Sequence, residues 1–396
     1  MTNQSPLPKA SPAELGLCPQ RTQRMLETLQ LEINSGRLPG AVLMVARHGQ
    51  TAVFETLGQQ DPATKSAMAK DSIFRIYSMT KPIVSVAIMM LVEQGKLLLS
   101  DTVAQHLPEF AGQMVATEVS GDMVMKAPQR LATVQDLLRH TAGLTYEFLG
   151  NFNVQRQYGR ANISSRGRTN AEFTQTLAAL PLMFEPGSVW EYSRATDVLG
   201  RLVEVASKQG LGAYLQTHIF QPLGMVDTAF SVPADKQSRI AEPFAHDPDG
   251  GTQMPVFDPR QVPAMEGGGG GLMSTTSDYA RFLQFMLNKG QLDGVRLLGP
   301  RMVDFMTCDH LGRIPANGTL LPDGHGFGLG FAVRTHAGVA NVPGSVGQYF
   351  WGGIAGTTFF VDPKEDLFAM LMIQAPNQRD YYRPLFRNLV YACLVA

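Results

Sequence analysis

The sequence predicts an α/β (α+β) fold, in which one antiparallel sheet is built from both termini, is flanked by helices and carries a mostly helical inserted region. Strand-like runs cluster before residue 60 and after residue 325, whereas helical periodicity dominates between them. The 396 residues, 44% of them hydrophobic, suffice for two domains with a large core. We therefore expect a sheet domain from residues 1–77 plus 290–396 and a helical region from residues 78–289, with the functional site at their junction.

Local signals place the elements of the N-terminal part in order. Residues 21–34 have helical periodicity and end at Ser35-Gly36. GAVLMVARHG and QTAVFETLG are typical of two strands that turn around His48-Gly49. Residues 79–94, closed by Gly95, form a helix that is apolar nearly all round, so we expect it to be buried between the two parts.

The remaining elements follow the same kinds of signal. A helix is predicted over residues 195–208, and another over SDYARFLQFMLNKG, which has Thr-Ser-Asp at its start and Gly290 as its stop. Beyond residue 325, GFGLGFAV and GTTFFVDPKEDLFAMLMIQ contain three short strand-like runs with a tight turn at Asp-Pro-Lys-Glu-Asp. A final helix is expected over roughly residues 381–394.

Charge and cysteine content exclude several classes of function. The net charge is −1 without a Lys/Arg block, so neither nucleic acid nor an anionic membrane is expected as a partner. Cys18, Cys308 and Cys393 form no C-x-x-C pair, which favours a reducing compartment. The N-terminus has no apolar signal-peptide core, and the longest apolar stretch is too short to span a bilayer, so we expect a cytoplasmic protein. The eight histidines show no H-E-x-x-H, and neither metal nor cofactor is expected.

The stretch RIYSMTKP, residues 75–82, contains the single S-x-x-K of the chain. Proline is tolerated in the first helical turn, so Pro82 fixes the helix start near Ser78. Lys81 then lies one turn from Ser78 on the same face, where a base and free backbone N–H groups suit a hydroxyl nucleophile. An ordinary N-cap serine followed by a solvated lysine is the alternative, but an unpaired ammonium in so apolar a helix would be costly.

A lysine with an ordinary pKa of about 10.4 is a poor base at neutral pH, so a second group is needed. Tyr192, in FEPGSVWEYSRATDVLG, is the candidate, because an adjacent ammonium stabilises a phenolate. It stands just before a predicted helix, after a Pro-Gly turn. The alternative is a half-buried tyrosine whose hydroxyl bonds a backbone carbonyl.

Six stretches of the chain, taken together and in order, resemble the family VIII carboxylesterases, which are serine hydrolases with the fold of class C β-lactamases and penicillin-binding proteins. The match extends from about residue 20 to the C-terminus. The stretches are SMTKP (78–82), LRHTAGL (138–144), FEPGSVWEYSRATDVLG (184–200), PLGMVDT (222–228), EGGGGGL (266–272) and WGGIAGTTFFVDP (351–363).

The resemblance implies a role for each matched position. Ser78 would be the acylated nucleophile, with Lys81 and Tyr192 as the proton-transfer pair. The stretch Trp351-Gly352-Gly353 would occupy an edge strand beside the substrate. The backbone N–H groups of Ser78 and Ile354 would form the oxyanion hole.

Departures from the β-lactamase pattern bear on specificity. The chain has no Lys-Thr-Gly and no Tyr-x-Asn, and Arg194 stands where the asparagine would be. With Trp351 in place of the strand lysine, an apolar surface replaces a cation that would meet a substrate carboxylate. Neutral, short-to-medium acyl esters are therefore the expected substrates. No G-x-S-x-G is present, which excludes the α/β-hydrolase nucleophile elbow.

Two further segments are candidates for the cleft. The irregular, aromatic-rich stretch 145–159 is expected to be a long loop that contributes Tyr146, Phe148 and Phe152 to a pocket wall, with an ordinary surface loop as the alternative. The glycine run 267–271 lacks the Lys-Ser/Thr of a phosphate loop and is expected to pack closely in a cleft wall.

Other activities remain open from the sequence. An acyltransferase would use the same residues with an alcohol in place of water, and a β-lactamase-like hydrolase would act weakly on lactams. A non-enzymatic penicillin-recognising module is disfavoured because serine, lysine and tyrosine are all present. The natural ester, its stereochemistry and the oligomeric state do not follow from the residues.

Overall fold

The computed structural model describes residues 5–119 and 122–395, and its centre is an eight-stranded antiparallel sheet. The strands of the described residues are β1 (Gly40–Arg47), β2 (Gln50–Asp61), β3 (Ser66–Ala67), β4 (Phe74–Arg75), β5 (Val115–Val119), β6 (Asp122–Lys126), β7 (Met273–Ser274), β8 (Gln291–Leu292), β9 (Val295–Arg296), β10 (His325–Phe327), β11 (Ala332–Arg334), β12 (Tyr349–Gly352), β13 (Thr358–Asp362) and β14 (Leu367–Ile373). The order of the strands in the eight-stranded sheet is β10-β11-β12-β13-β14-β1-β2-β3.

Helices cover the sheet and fill the middle of the chain. The α-helices are α1 (Pro19–Asn34), α2 (Thr80–Glu93), α3 (Val103–His106), α4 (Val134–Leu138), α5 (Asn153–Arg160), α6 (Asn170–Ala178), α7 (Ala195–Ser207), α8 (Leu211–Leu215), α9 (Gln221–Leu223), α10 (Thr276–Leu287), α11 (Pro300–Met306) and α12 (Arg379–Cys393). The described residues contain no helix long and apolar enough to cross a membrane.

Both faces of the sheet are buried, which explains why its central strands are apolar without interruption. In β1, Ala41, Leu43 and Val45 pack with α1 and α12 on one face. The alternate residues Val42 and Met44 belong to the larger core that contains α2 and α10. Because side chains alternate between faces in a strand, a strand covered on both sides must be apolar throughout.

The predicted fold class is confirmed, since strands from both ends of the chain pair in one sheet. β1 pairs with β14 and with β2, and the β1–β2 turn lies at His48-Gly49, where both residues have positive φ (53° and 72°). Such a two-residue turn matches the twist of a hairpin. Helices α1, α7, α10 and α12 lie within two residues of their predicted bounds.

Two details of the prediction are wrong, and the expected edge strand holds only in part. Strand β12 pairs with β11 through Tyr349 and Phe350, whereas its Trp351–Gly352 end pairs with β13 alone. The segment 145–159 is not a long irregular loop, since α5 begins at Asn153. The hairpin of β5 and β6 lies in the region expected to contain helices and loops.

The buried helix α2 connects the sheet to the helical region. Its residues from Thr80 to Leu91 are all buried, and α2 packs against α7. Pro82 lies in its first turn, as the sequence predicts. Helix α10 also contacts β1, β13 and β14, although it falls within the predicted helical region 78–289. The two-domain division, with boundaries at residues 77 and 290, stays a prediction.

Candidate active site

Ser78 lies in a short 3-10 turn, Tyr77–Met79, immediately before α2. The preceding residue, Tyr77, has φ of 43°, a conformation that side chains other than glycine rarely adopt. Its hydroxyl accepts a hydrogen bond from the backbone N–H of Phe257 at 3.1 Å, which anchors the strained residue. The turn leaves Ser78 half-buried at the start of an otherwise buried helix.

Two side chains reach the Ser78 hydroxyl from different elements. Lys81 Nζ donates to Ser78 Oγ at 3.2 Å from one turn along α2. Tyr192 Oη donates to the same oxygen at 2.6 Å from the segment before α7, 114 residues away in sequence. The structure therefore brings together Ser78, Lys81 and Tyr192, the three residues that the sequence singled out.

Lys81 is almost completely buried, with 1% of its surface exposed, and its ammonium has three acceptors. Besides Ser78 Oγ, these are the carbonyl oxygen of Gly269 at 2.6 Å and Tyr146 Oη at 3.1 Å. Burial raises the pKa of Tyr146 well above its usual range, and neighbouring Tyr192 and Asp197 add to this effect. Tyr146 is therefore a neutral phenol at physiological pH.

Aromatic rings surround Tyr192. The centroids of His140, Tyr146 and Trp351 lie 5.0, 5.2 and 5.2 Å from its own, and the indole Nε1 of Trp351 donates to Tyr192 Oη at 3.3 Å. Burial, together with the charge of Lys81, lowers the pKa of His140 well below its usual range. His140 is thus a neutral ring beside the tyrosine, with Nδ1 3.1 Å from Ser193 Oγ.

The segment that follows β12 lies against the turn that carries Ser78. A Cβ at Gly353 would stand 2.4 Å from the carbonyl oxygen of Ile76, so no side chain fits there. Within residues 5–119 and 122–395, the backbone N–H groups of Ser78 and Ile354 donate no hydrogen bond. Their role as an oxyanion hole stays a prediction.

The residues predicted to line the pocket differ in how far their side chains are exposed. Trp351 is 7% exposed and contacts Tyr192, while Gly352 and Gly353 pack under the guanidinium of Arg383. Phe148 is 56% exposed and stacks on Tyr146 at 4.7 Å between centroids. Phe152 is also exposed, directly before α5.

The contact of Tyr146 with Lys81 was missed in the sequence, where Tyr146 was expected in a pocket wall. Its hydroxyl is a buried hydrogen-bond partner of the lysine, and its place in a pocket wall stays a prediction. The partners of Arg194, which stands where the β-lactamase pattern has an asparagine, also did not follow from the sequence. Its guanidinium pairs with Glu147 at 2.5 Å and with Asp197 at 3.7 Å. Residue spacing carries no signal for these two pairs.

The glycine run 267–271 packs as closely as predicted. A Cβ at Gly268 would lie 2.4 Å from the carbonyl oxygen of Thr196, and a Cβ at Gly269 would lie 2.7 Å from a carboxylate oxygen of Asp197. The close approach aims the Gly269 carbonyl at Lys81. Across the described part of the chain, no group of three or more His, Cys, Asp or Glu side chains is placed to hold a metal ion.

The chain is similar to known proteins over most of its length. The Beta-lactamase family model matches residues 21–392. Esterase EstB of Burkholderia gladioli is 34% identical over 361 residues, covering 85% of this chain and 86% of EstB. An uncharacterized protein of Mycobacterium tuberculosis is 35% identical over 86% of this chain and 87% of its own length.

A solved structure extends the likeness to the whole fold. EstCE1, described as a hydrolase with promiscuous acyltransferase activity, superposes with a TM-score of 0.78 at 26% identity. The superposition covers 94% of this chain and 98% of EstCE1. The chain therefore belongs to the beta-lactamase family, and within it to the family VIII carboxylesterases, which are serine ester hydrolases.

Proposed function

We propose that the protein is a carboxylesterase that hydrolyses neutral, short-to-medium acyl esters through an acyl-enzyme on Ser78. One observation carries the proposal: Lys81 Nζ and Tyr192 Oη both lie within hydrogen-bond distance of Ser78 Oγ, at 3.2 and 2.6 Å. A hydroxyl becomes a strong nucleophile when an adjacent group removes its proton. Two such groups at one hydroxyl support the assignment of a proton-transfer pair.

In the acylation step the pair acts in its proton-accepting form, in which the Tyr192 oxygen is a phenolate beside the Lys81 ammonium. Ser78 Oγ attacks the ester carbonyl carbon, and its proton passes to that oxygen. The negative charge that develops on the carbonyl oxygen requires preorganised donors. The unused backbone N–H groups of Ser78 and Ile354 are suited to this role. Gly353, next to Ile354, contacts Ile76, which lies two residues before Ser78.

The tetrahedral intermediate then collapses, and the bond to the alcohol oxygen breaks. Tyr192 donates its proton to the departing alkoxide, since its hydroxyl lies 2.6 Å from the atom that has just formed the new bond. Water takes the place of the alcohol, loses a proton to the same pair, and attacks the acyl-enzyme. Its hydroxyl completes the carboxylic acid, and Ser78 regains its proton.

The surroundings of the site support a neutral substrate. Trp351 stands where β-lactamases carry a strand lysine, and Arg194 is committed to Glu147 and Asp197. The exposed ring of Phe148, stacked on Tyr146, offers apolar surface beside the site. Burying apolar carbon contributes about 0.8 kcal/mol per CH₂ group, so an acyl chain of several carbons gains affinity on such a surface.

A series of p-nitrophenyl esters from acetate to dodecanoate tests the proposal. We expect kcat/KM to be highest for butyrate or hexanoate, low turnover of the anionic β-lactam nitrocefin, and no ester turnover by Ser78→Ala. Nitrocefin hydrolysis as fast as ester hydrolysis would reject the neutral-ester assignment. Full activity of a folded Ser78→Ala variant would reject the nucleophile.

Transfer of the acyl group to an alcohol is the second candidate. The likeness to EstCE1, a hydrolase with promiscuous acyltransferase activity, favours it. The chemistry differs only in which hydroxyl attacks the acyl-enzyme. Adding methanol to the p-nitrophenyl butyrate assay separates the two: methyl butyrate in the products indicates transfer, and butyric acid alone indicates hydrolysis.

A further inference from the structure

Arg194 occupies a site with two acidic neighbours rather than one. It immediately precedes α7, and only 13% of its side chain is exposed. Its Nη2 and Nε donate to the two carboxylate oxygens of Glu147 at 2.5 and 3.3 Å, and its Nη1 lies 3.7 Å from Asp197 Oδ2. The guanidinium plane also lies over the ring of Tyr146, 4.7 Å from its centroid.

Two chains of contacts, called here the two routes, connect Arg194 to Lys81. On one side, Tyr146 lies under Arg194 and its hydroxyl accepts from Lys81 Nζ at 3.1 Å. On the other side, Asp197 Oδ1 accepts from the backbone N–H of Gly269 at 2.8 Å. The carbonyl of Gly269 accepts from Lys81 at 2.6 Å. Apart from Ser78, Lys81 has two hydrogen-bond partners, Tyr146 and Gly269. Arg194 contacts the first directly and the second through Asp197.

The geometry suits arginine in particular. A guanidinium is planar, presents several donors in a fixed fork and stacks on aromatic rings, whereas an ammonium is a compact point charge. Burial works to lower the pKa of Arg194, but Asp197, Tyr146 and Glu147 outweigh it and the pKa is raised. Arg194 is therefore always charged, and its donors are directed at protein groups.

We propose that Arg194 is a positioning residue, which holds Tyr146 directly and Gly269 through Asp197, and so fixes Lys81 Nζ beside Ser78. The proposal rests on the function proposed above, in which Lys81 takes part in proton transfer. A reacting group displaced by about 1 Å can lose about 100-fold in rate. Loosening the partners of Lys81 should therefore slow acylation without weakening the binding of substrate.

Arg194→Lys tests the proposal, because lysine keeps the charge but cannot pair with two carboxylates and stack on Tyr146. The matched control is Arg239→Lys: Arg239 also bridges two carboxylates, Asp227 at 2.6 Å and Asp71 at 3.1 Å, and is 19% exposed. The readout is the rate at which a fluorophosphonate probe labels Ser78, measured over a range of probe concentrations. Its dependence on concentration gives the maximal labelling rate and the affinity for the probe separately.

We expect Arg194→Lys to lower the maximal labelling rate about 10- to 100-fold at unchanged probe affinity, with kcat for esters falling in parallel. Arg239→Lys should leave the maximal labelling rate and kcat within about 2-fold of the wild-type values. It should lower the melting temperature by about as much as Arg194→Lys does. A weaker probe affinity at an unchanged maximal rate would instead make Arg194 a substrate contact. Equal labelling rates in the two variants would overturn the proposal.

Gly269→Ala keeps the proposal testable if Arg194→Lys does not fold. Its added Cβ would lie 2.7 and 2.9 Å from the carboxylate oxygens of Asp197, which should break one of the two routes. Gly112→Ala is the control, since a Cβ there meets no atom within 4 Å. We expect Gly269→Ala to reproduce the slow labelling and Gly112→Ala to react normally; normal labelling of Gly269→Ala would contradict the proposal.

Failure of this proposal is distinguishable from failure of the proposed function. If Ser78→Ala and Lys81→Ala are inactive while Arg194→Lys and Gly269→Ala react normally, the esterase mechanism stands and the positioning role is wrong. If a folded Lys81→Ala variant is fully active, the proposed proton-transfer pair itself is wrong.

Discussion

The indole N–H of Trp351 donates a hydrogen bond to the phenolic oxygen of Tyr192, over 3.3 Å. The sequence predicted an apolar wall at this position, in place of the cation of a β-lactamase strand. The structure shows an aromatic ring that is 7% exposed, lies tilted against the Tyr192 ring with centroids 5.2 Å apart, and donates to its hydroxyl. A neutral N–H cannot hold a carboxylate as a lysine does, yet it stabilises negative charge on the tyrosine oxygen.

Trp351→Phe should lower kcat/KM about 10-fold, because phenylalanine keeps the aromatic contact but lacks the N–H. The loss corresponds to about 1.4 kcal/mol, a common value for one hydrogen bond. We expect the same factor for acetate and hexanoate esters, measured by p-nitrophenol release. Trp190→Phe is the control: Trp190 is completely buried and its indole N–H has no partner among the described residues.

A loss that grows with acyl length would contradict the donor role of Trp351. That result would restore the apolar wall that the sequence predicted, since each additional CH₂ group would then contact the indole.

Lys81 and Tyr192 should act as a unit on Ser78. We expect Lys81→Ala, Tyr192→Phe and the double variant to lose similar amounts of kcat, because groups that serve one proton transfer are not additive. The values of kcat of the four proteins in this double-mutant cycle are measured in the steady state, and circular dichroism checks that each variant is folded. Tyr158→Phe controls for removal of a buried hydroxyl, since Tyr158 is completely buried and donates to the carbonyl of Pro181 instead.

Additive losses would separate the two residues. If the double variant loses the sum of the two single losses in activation free energy, Lys81 and Tyr192 serve different steps and the shared-proton model fails.

Asp136 should make stability depend on pH in the acid range. Burial raises its pKa, but hydrogen bonds from Arg130, Thr133 and Thr141 outweigh burial and lower the pKa to about 2. A carboxyl whose pKa is lower in the folded state contributes stability above its unfolded pKa of about 3.9, which is lost as the pH falls through about 2. The contribution at pH 7 is about 2 kcal/mol, and about half of it remains at pH 3.

Urea unfolding at pH 7 and pH 3 measures this contribution. Asp136→Asn should lower the free energy of unfolding at pH 7, and the difference from wild type should shrink by about 1 kcal/mol at pH 3. Asp235→Asn, at an exposed position, should show no such change. A difference for Asp136→Asn that is the same at both pH values would contradict the lowered pKa.

Much of the fold follows from the sequence because its signals are local and strong. The uninterrupted apolar run of β1, the turn at His48-Gly49 and the proline at the start of α2 each indicate a single structure over a few residues. The position of β12 within the sheet does not follow in this way. Its neighbour β11 is three residues long and pairs with only Tyr349 and Phe350, and a strand-like run of residues does not show which strands it pairs with.

In the site, too, contacts between residues close in sequence can be predicted, whereas contacts between distant residues cannot. Ser78 and Lys81 are one helical turn apart, so their contact can be predicted from spacing, and Tyr192 follows from the family resemblance. The contacts of Tyr146 with Lys81 and of Asp197 with Gly269 join residues 65 and 72 positions apart. Such contacts depend on how segments pack in three dimensions, which periodicity and turn signals do not describe.

The covalent acyl-enzyme tests the central claim most directly. The protein is mixed with p-nitrophenyl hexanoate, quenched in acid within milliseconds to seconds, and digested for mass spectrometry. We expect a hexanoyl group on the peptide that contains Ser78, which appears before steady state and is absent in Ser78→Ala, with the variant also inactive. A hexanoyl group on another residue, or turnover by a folded Ser78→Ala variant, would contradict the account.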